Sequence, residues 1–187
     1  MQVHVRSRRC SLSRLKDTFP EATILDVTSK GPDPWVRFSP FYPHGDIPVP
    51  GESEMFAASV EGVWQGLKVF ESADVDPLKF EVTSMKGLKR TVRRFGECLG
   101  HRWGTDSSEL LGYREARYRI YLPTYLWVLQ NKLERELERL HNHLADGPVI
   151  LLDYETNLDV EDLNRPLSHA GLIRAFATNS WPPDLQS

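Results

Sequence analysis

The sequence predicts a helix-dominated α+β fold with a few short strands, and three observations carry that expectation. Leucines at 126, 129, 133, 137, 140 and 144 recur at spacings of three or four, the period of a helix with one buried stripe. The runs Ala22 to Val27 and Val149-Ile-Leu-Leu152 are short, apolar and β-branched, as buried strands are. Between Gly31 and Gly51 stand Pro32, Pro34, Pro40, Pro43, Pro48 and Pro50, which exclude a long helix and most central strands.

Taken in order, the first ten residues are basic and form a less ordered tail. Ser11 caps a short helix ending near Phe19-Pro20, and the strand from Ala22 follows. The Pro-rich stretch also holds Trp35, Phe38, Phe41 and Tyr42, so it is a structured loop and not a solvated linker. Ser59 to Phe70 reads as a helix. Its Val60, Val63, Trp64 and Leu67 form a buried stripe, with Glu61, Gln65 and Lys68 along the adjoining edge. A second helix is expected from Thr83 to Phe95, carrying Lys86, Lys89, Arg90, Arg93 and Arg94 on one basic face. Glycines then break the chain around His101-Arg102-Trp103. A long helix spans Pro123 to Leu144 and stops at Gly147-Pro148. Asp153 closes the following strand, where it caps a turn or points into a site. Ser168 caps a last helix, and residues 179–187 form a polar tail.

Length and composition bound the rest. A chain of 187 residues with 40% apolar and 26% charged side chains suits one domain, residues 1–187, with a real core. A net charge of -3 gives no global pull toward polyanions. Cys10 and Cys98 cannot make a disulfide framework or a metal cluster. The first ten residues lack the apolar run a signal peptide needs, so none is expected, and no membrane-length apolar stretch, Walker loop, G-x-S-x-G elbow or H-E-x-x-H motif is present in the sequence. The expectation is a cytoplasmic protein without a metal or cofactor, in no contact with membrane and of open oligomeric state.

The row Glu61, Gln65, Lys68 is the candidate chemistry. An acid, an amide and an amine beside a buried stripe are either solvated at the rim or border a cleft. If Ser59 is the N-cap, Glu61 sits in the first turn, where the helix dipole favours its ionised form and suits it to act as base.

Phe38-Ser39-Pro40-Phe41-Tyr42-Pro43, followed by Ser59, Glu61, Gln65, Lys68 and Phe70, resembles the NADAR superfamily, also called YbiA-like. The resemblance rests on about thirty residues; the later half agrees only loosely. Pro40 stands where that family usually has Asn, and Gly62 where it usually has His. The resemblance implies a YbiA-like fold and an N-glycosidase acting on ADP-ribosyl compounds or riboflavin intermediates. Glu61 then acts as base or oxocarbenium stabiliser, with Asp153 a candidate second carboxylate. Phe38, Ser39, Phe41, Tyr42, Trp64, Gln65, Lys68, Arg93, Arg94 and Trp103 are the candidate substrate-binding residues. The expected partner is a phosphorylated ribosyl small molecule or an ADP-ribosylated substrate, with nucleic acid entering only as a modified substrate. The altered Pro40 and Gly62 suggest the alternative of a non-catalytic ADP-ribose or nucleotide-binding module. A third possibility, an assembly protein, requires an exposed apolar strip along the Tyr125 to Leu144 helix.

Overall fold

The computed structural model describes residues 2–182, and the fold is α+β with more helix than strand. Its contacts gather into two units. Among the described residues, one takes in residues 2–39 together with 133–182, and the other spans Pro40–Lys132.

In the first unit three parallel strands lie in the order β1 (Val3–Ser7), β8 (Val149–Asp153), β2 (Thr23–Asp26). Helix α1 (Leu12–Thr18) makes the crossover from β1 to β2, as a parallel connection demands. Every residue of the central strand β8 is buried, which is why it reads as an unbroken apolar run. Leu15 of α1 packs with Ile150 and Leu152, and Phe19, Ala22 and Ile24 close around them. The basic N-terminus is therefore not a tail. Val3 and Val5 point inward with His4 and Arg6 between them, the period-two alternation of a strand buried on one face. Helices α6 (Glu134–Asp146) and α7 (His169–Ala177) complete the unit.

The second unit holds a two-stranded ribbon, β3 (Ile47–Pro48) with β4 (Phe56–Ala57), and an antiparallel sheet of β5 (Lys68–Phe70), β6 (Cys98–Arg102) and β7 (Leu110–Leu111). Its helices are α2 (Val60–Gly66), α3 (Val92–Phe95), α4 (Tyr113–Ala116) and α5 (Leu122–Lys132), and a π-helical turn, Arg117–Tyr121, joins the last two.

Three sequence expectations need correction here. The helix begun at Ser59 ends at Gly66, and Lys68 lies on β5. The basic helix expected over 83–95 survives only as the single turn α3; Gly87, at φ 74°, breaks it, and Arg90 turns inward to 6% exposure. The long leucine helix is interrupted at Leu133, whose backbone (φ -125°, ψ 22°) leaves the helical region between α5 and α6. Its leucines at 129, 133, 137, 140 and 144 are all buried within the chain, which removes the apolar strip an assembly role required. Among the described residues no helix is long and apolar enough to cross a membrane. Of the expected C-terminal tail, residues 183–187 lie outside the described residues, while Trp181 sits edge-on to Phe176 of α7.

Candidate functional site

Helix α2 begins because Ser59, extended at φ -145°, accepts the Gly62 N–H on its hydroxyl at 3.0 Å. The Pro-rich loop is fastened to the same turn: the Glu61 N–H donates to the Pro40 carbonyl at 2.8 Å. At the other end, Arg90 meets a carbonyl that the helix leaves open and two from the chain that follows it. Its guanidinium donates to the carbonyls of Gln65 (3.3 Å), Lys68 (2.7 Å) and Asp74 (2.6 Å), and it lies over the rings of Phe70 and Phe95.

Glu61 is 8% exposed, and its carboxylate accepts a hydrogen bond from the Gln65 amide at 2.8 Å. The amide cannot be turned round, since its oxygen accepts the backbone N–H of Arg90 at 2.9 Å. A chain of three groups therefore fixes one carboxylate oxygen. Lys68 reaches this neighbourhood from β5. Burial pushes its ammonium below the usual lysine range; the charge of Glu61 pulls back, and Lys89 and Arg90 push further down.

Opposite Lys68 in the antiparallel register stands His101 of β6. It is 1% exposed, and among the described residues neither ring nitrogen has a hydrogen-bond partner of good geometry. Burial, then the charge of Lys68, drives it down to about 3, against a weak opposite influence of the Trp64 backbone. It is a neutral imidazole. Its ring lies 3.8 Å from that of Trp64, and the Lys68 amine stands 6.0 Å from the same indole. Tyr121 meets Trp64 edge-on at 5.5 Å and Tyr113 flanks it at 6.1 Å. Arg117, 2% exposed, lies over the Tyr113 ring at 4.7 Å and donates to its hydroxyl. The widened π-helical turn that presents Arg117 and Tyr121 is a feature often found at functional sites.

The second unit thus joins Glu61, Trp64, Gln65 and Lys68, and it adds Arg90, which the sequence placed only on a basic helix face, together with His101, Tyr113, Arg117 and Tyr121; none of these five is among the candidate site residues of the sequence. The four-residue spacing of Tyr113, Arg117, Tyr121 and Tyr125 was the available signal. Of the other candidates, Phe41 lies under the Lys89 amine at 5.7 Å, and Tyr42 packs on His44. Trp103 packs under Arg119, which pairs with Glu109. Arg93 and Arg94 stand exposed on α3, so no basic wall forms along a helix.

Phe38, Ser39 and Asp153 belong to the first unit. Phe38 is buried and stacks on Trp35, and Ser39 closes the 3-10 turn Trp35–Phe38. Asp153 gives one oxygen to the Tyr154 N–H at 2.7 Å; the other accepts from Ser168 (2.7 Å), His169 (2.9 Å) and the Ala170 N–H (3.3 Å). That carboxylate is engaged by the protein's own donors. Among the described residues no group of three or more His, Cys, Asp or Glu side chains could hold a metal ion, and Cys10 and Cys98 are free thiols.

The model of one protein family, described as a family of unknown function (DUF6939), matches residues 7–173. The chain belongs to that family. No curated protein and no solved structure matches it. The DUF6939 match runs from the end of β1 into α7, so it takes in the Glu61 cluster and the Asp153 cluster alike.

Proposed function

We propose that the Glu61 cluster is the centre of an N-glycoside hydrolase related to the NADAR superfamily, acting on a phosphorylated ribosyl compound of ADP-ribosyl or riboflavin-intermediate type. The observation that carries this reading is the Glu61 carboxylate, largely withdrawn from solvent and held at one oxygen by an amide that cannot rotate. Cleavage of an N-glycoside builds positive charge at the anomeric carbon, and a fixed anion there stabilises it without reorganising. Water attacks that carbon and gives a proton to Glu61. The C–N electron pair leaves with the base, which takes up the proton, so one water yields free sugar and free base. Lys68 binds a ribose oxygen, and Trp64 with Tyr113 and Tyr121 takes the flat base against a ring face.

The test is Glu61→Gln, assayed for released reducing sugar on a panel of phosphoribosyl and ADP-ribosyl compounds. Turnover should fall by about 10²–10⁴-fold while ligand binding persists, since the Gln65 hydrogen bond has an acceptor in either case. Undiminished turnover in the variant overturns the assignment.

One observation favours a second reading, a non-catalytic ADP-ribose or nucleotide-binding module. A side chain at Gly62 would meet the Lys79 carbonyl oxygen at 2.8 Å, so this fold has no room for the imidazole found at that position in the superfamily it resembles. Wild-type protein that binds ADP-ribose and never releases base or sugar would establish the module.

A further inference from the structure

His169 is the first residue of α7, and both of its ring nitrogens face acceptors. Nδ1 lies 2.9 Å from the Asp153 carboxylate, and Nε2 lies 2.9 Å from the Val27 carbonyl just beyond β2. A carbonyl never donates, and this carboxylate is ionised, since Ser168 Oγ–H and the N–H groups of Tyr154 and Ala170 also point at it. A neutral imidazole owns one N–H and would leave a lone pair against one of these oxygens. Two short contacts to two acceptors require the doubly protonated ring.

We propose that His169 is a buried imidazolium acting as a pH-sensitive latch, which fastens the start of α7 to the carboxyl ends of β8 and β2 and lets go when it loses its proton. The latch does not depend on the glycosidase reading. Its neighbours explain why the charge is tolerated. Asp153 arrives from β8, and Asp26, at the end of β2, adds a second negative charge while bonded to Arg8 beyond β1. Within α7, the helix start works against a cation at position 169 but favours the Asp153 anion, which takes the Ala170 N–H. Ser168 closes the arrangement by donating to Asp153 and accepting from Gly171 N–H at 3.1 Å. Burial alone would strip the proton; the charge and hydrogen bond of Asp153, with the Val27 carbonyl, outweigh it and hold His169 above its ordinary value. Asp153 is likewise opposed by burial, yet His169, Ser168 and Ala170 hold it below the usual aspartate range.

The direction with pH follows from linkage. A raised histidine stabilises the fold fully below its unfolded value of about 6.5, and the contribution is lost as pH rises through the higher folded value. The lowered aspartate contributes above about 3.8 and is lost as pH falls through its folded value. The latch therefore holds across the interval between the two folded values, and it opens on the alkaline side as His169 loses its proton.

Nitrogen-15 NMR of the full chain, with the histidine rings resolved by comparison with His169→Gln, reads the charge directly. At about pH 6.5 the His169 ring should carry both protons, and it should titrate only at higher pH. Asp153→Asn should move that titration downward, because it keeps an acceptor and removes the charge. Denaturant midpoints should fall with rising pH in wild type and stay level in His169→Gln. A ring with one proton at about pH 6.5, or a titration unmoved by Asp153→Asn, overturns the proposal. If His169→Gln does not fold, the wild-type and Asp153→Asn spectra still decide it.

Discussion

Replacing Gly62 with alanine sets two known effects against each other at one position. In an exposed helix the change would stabilise by up to about 1 kcal/mol, because glycine is the poorer helix former. Here the added Cβ would lie 2.8 Å from the Lys79 carbonyl oxygen and 3.1 Å from the Ser59 hydroxyl that caps the helix. The Lys79 carbonyl is main chain and is held on both sides. Asp76 N–H binds the Gly66 carbonyl at 2.7 Å before it, and Ala58 N–H binds the Phe80 carbonyl at 2.7 Å after it. Overpacking a well-filled site costs typically 1–3 kcal/mol, so the clash prevails and Gly62→Ala should destabilise by about 1–2 kcal/mol. With a urea slope of roughly 1–3 kcal/mol/M, the unfolding midpoint should fall by about 0.5 M at unchanged slope. Gly62→His should fare worse and gain no activity. An alanine variant as stable as wild type would show that the Pro77–Lys79 turn yields, and the packing argument against an imidazole at 62 would fail with it.

Two further changes test the frame around the site. Arg90→Met keeps the apolar stem between Phe70 and Phe95 but abandons three carbonyls, each costing roughly 1–3 kcal/mol if left without a donor, so thermal melting should drop sharply. A melting temperature near that of wild type would mean water replaces the guanidinium. Asp74 is brought down to about 2 chiefly by the Arg102 side chain, then by the Val75 N–H, so its contribution is present above the ordinary aspartate range and is lost as pH falls through about 2. Its side chain is 55% exposed, which keeps the effect small. Asp74→Asn should leave stability at neutral pH nearly unchanged and flatten the acid limb; a steeper acid limb would contradict the pairing.

What could be read from the chain is what local chemistry decides. Ser11, Ser59 and Ser168 cap α1, α2 and α7 because a hydroxyl one residue before an apolar period has few other uses, and Val149 to Leu152 reads as a strand because both of its faces are covered. The i,i+4 relation of Glu61 and Gln65 also holds, as a hydrogen bond. Lys68 was misplaced because Leu67-Lys-Val-Phe70 satisfies helix and strand periods alike, and pairing with the distant β6 decides between them. The basic face over 83–95 counts charges on a helix that Gly87 breaks, and nothing local shows that Arg90 leaves that face to bind the Gln65 carbonyl in the last turn of α2. The leucine repeat runs straight through Leu133, so a pattern that registers only apolarity cannot see the change in backbone there. His4 and Arg6 concealed β1: the basic character of the segment outweighed the alternation of Val3 and Val5.

The two buried histidines mark where sequence reasoning stops. His101 and His169 are the same residue type, both withdrawn from water, and burial acts on both in the same direction, against the proton. Their charge states diverge through what faces each ring. His101 meets the cation Lys68 across the strand pair and the face of Trp64, so nothing repays its desolvation and it remains neutral. His169 meets a carboxylate, a carbonyl and a second aspartate, so the proton stays. Those neighbours lie 33 residues away for His101 and 16 and 142 for His169, distances along the chain that no local period spans. A substitution that exchanges the partner should therefore exchange the behaviour: Lys68→Glu should raise the His101 titration toward its ordinary range, as Asp153→Asn lowers that of His169. If His101 stays neutral beside a carboxylate at position 68, burial alone fixes its state, and the same argument would no longer account for the charge on His169.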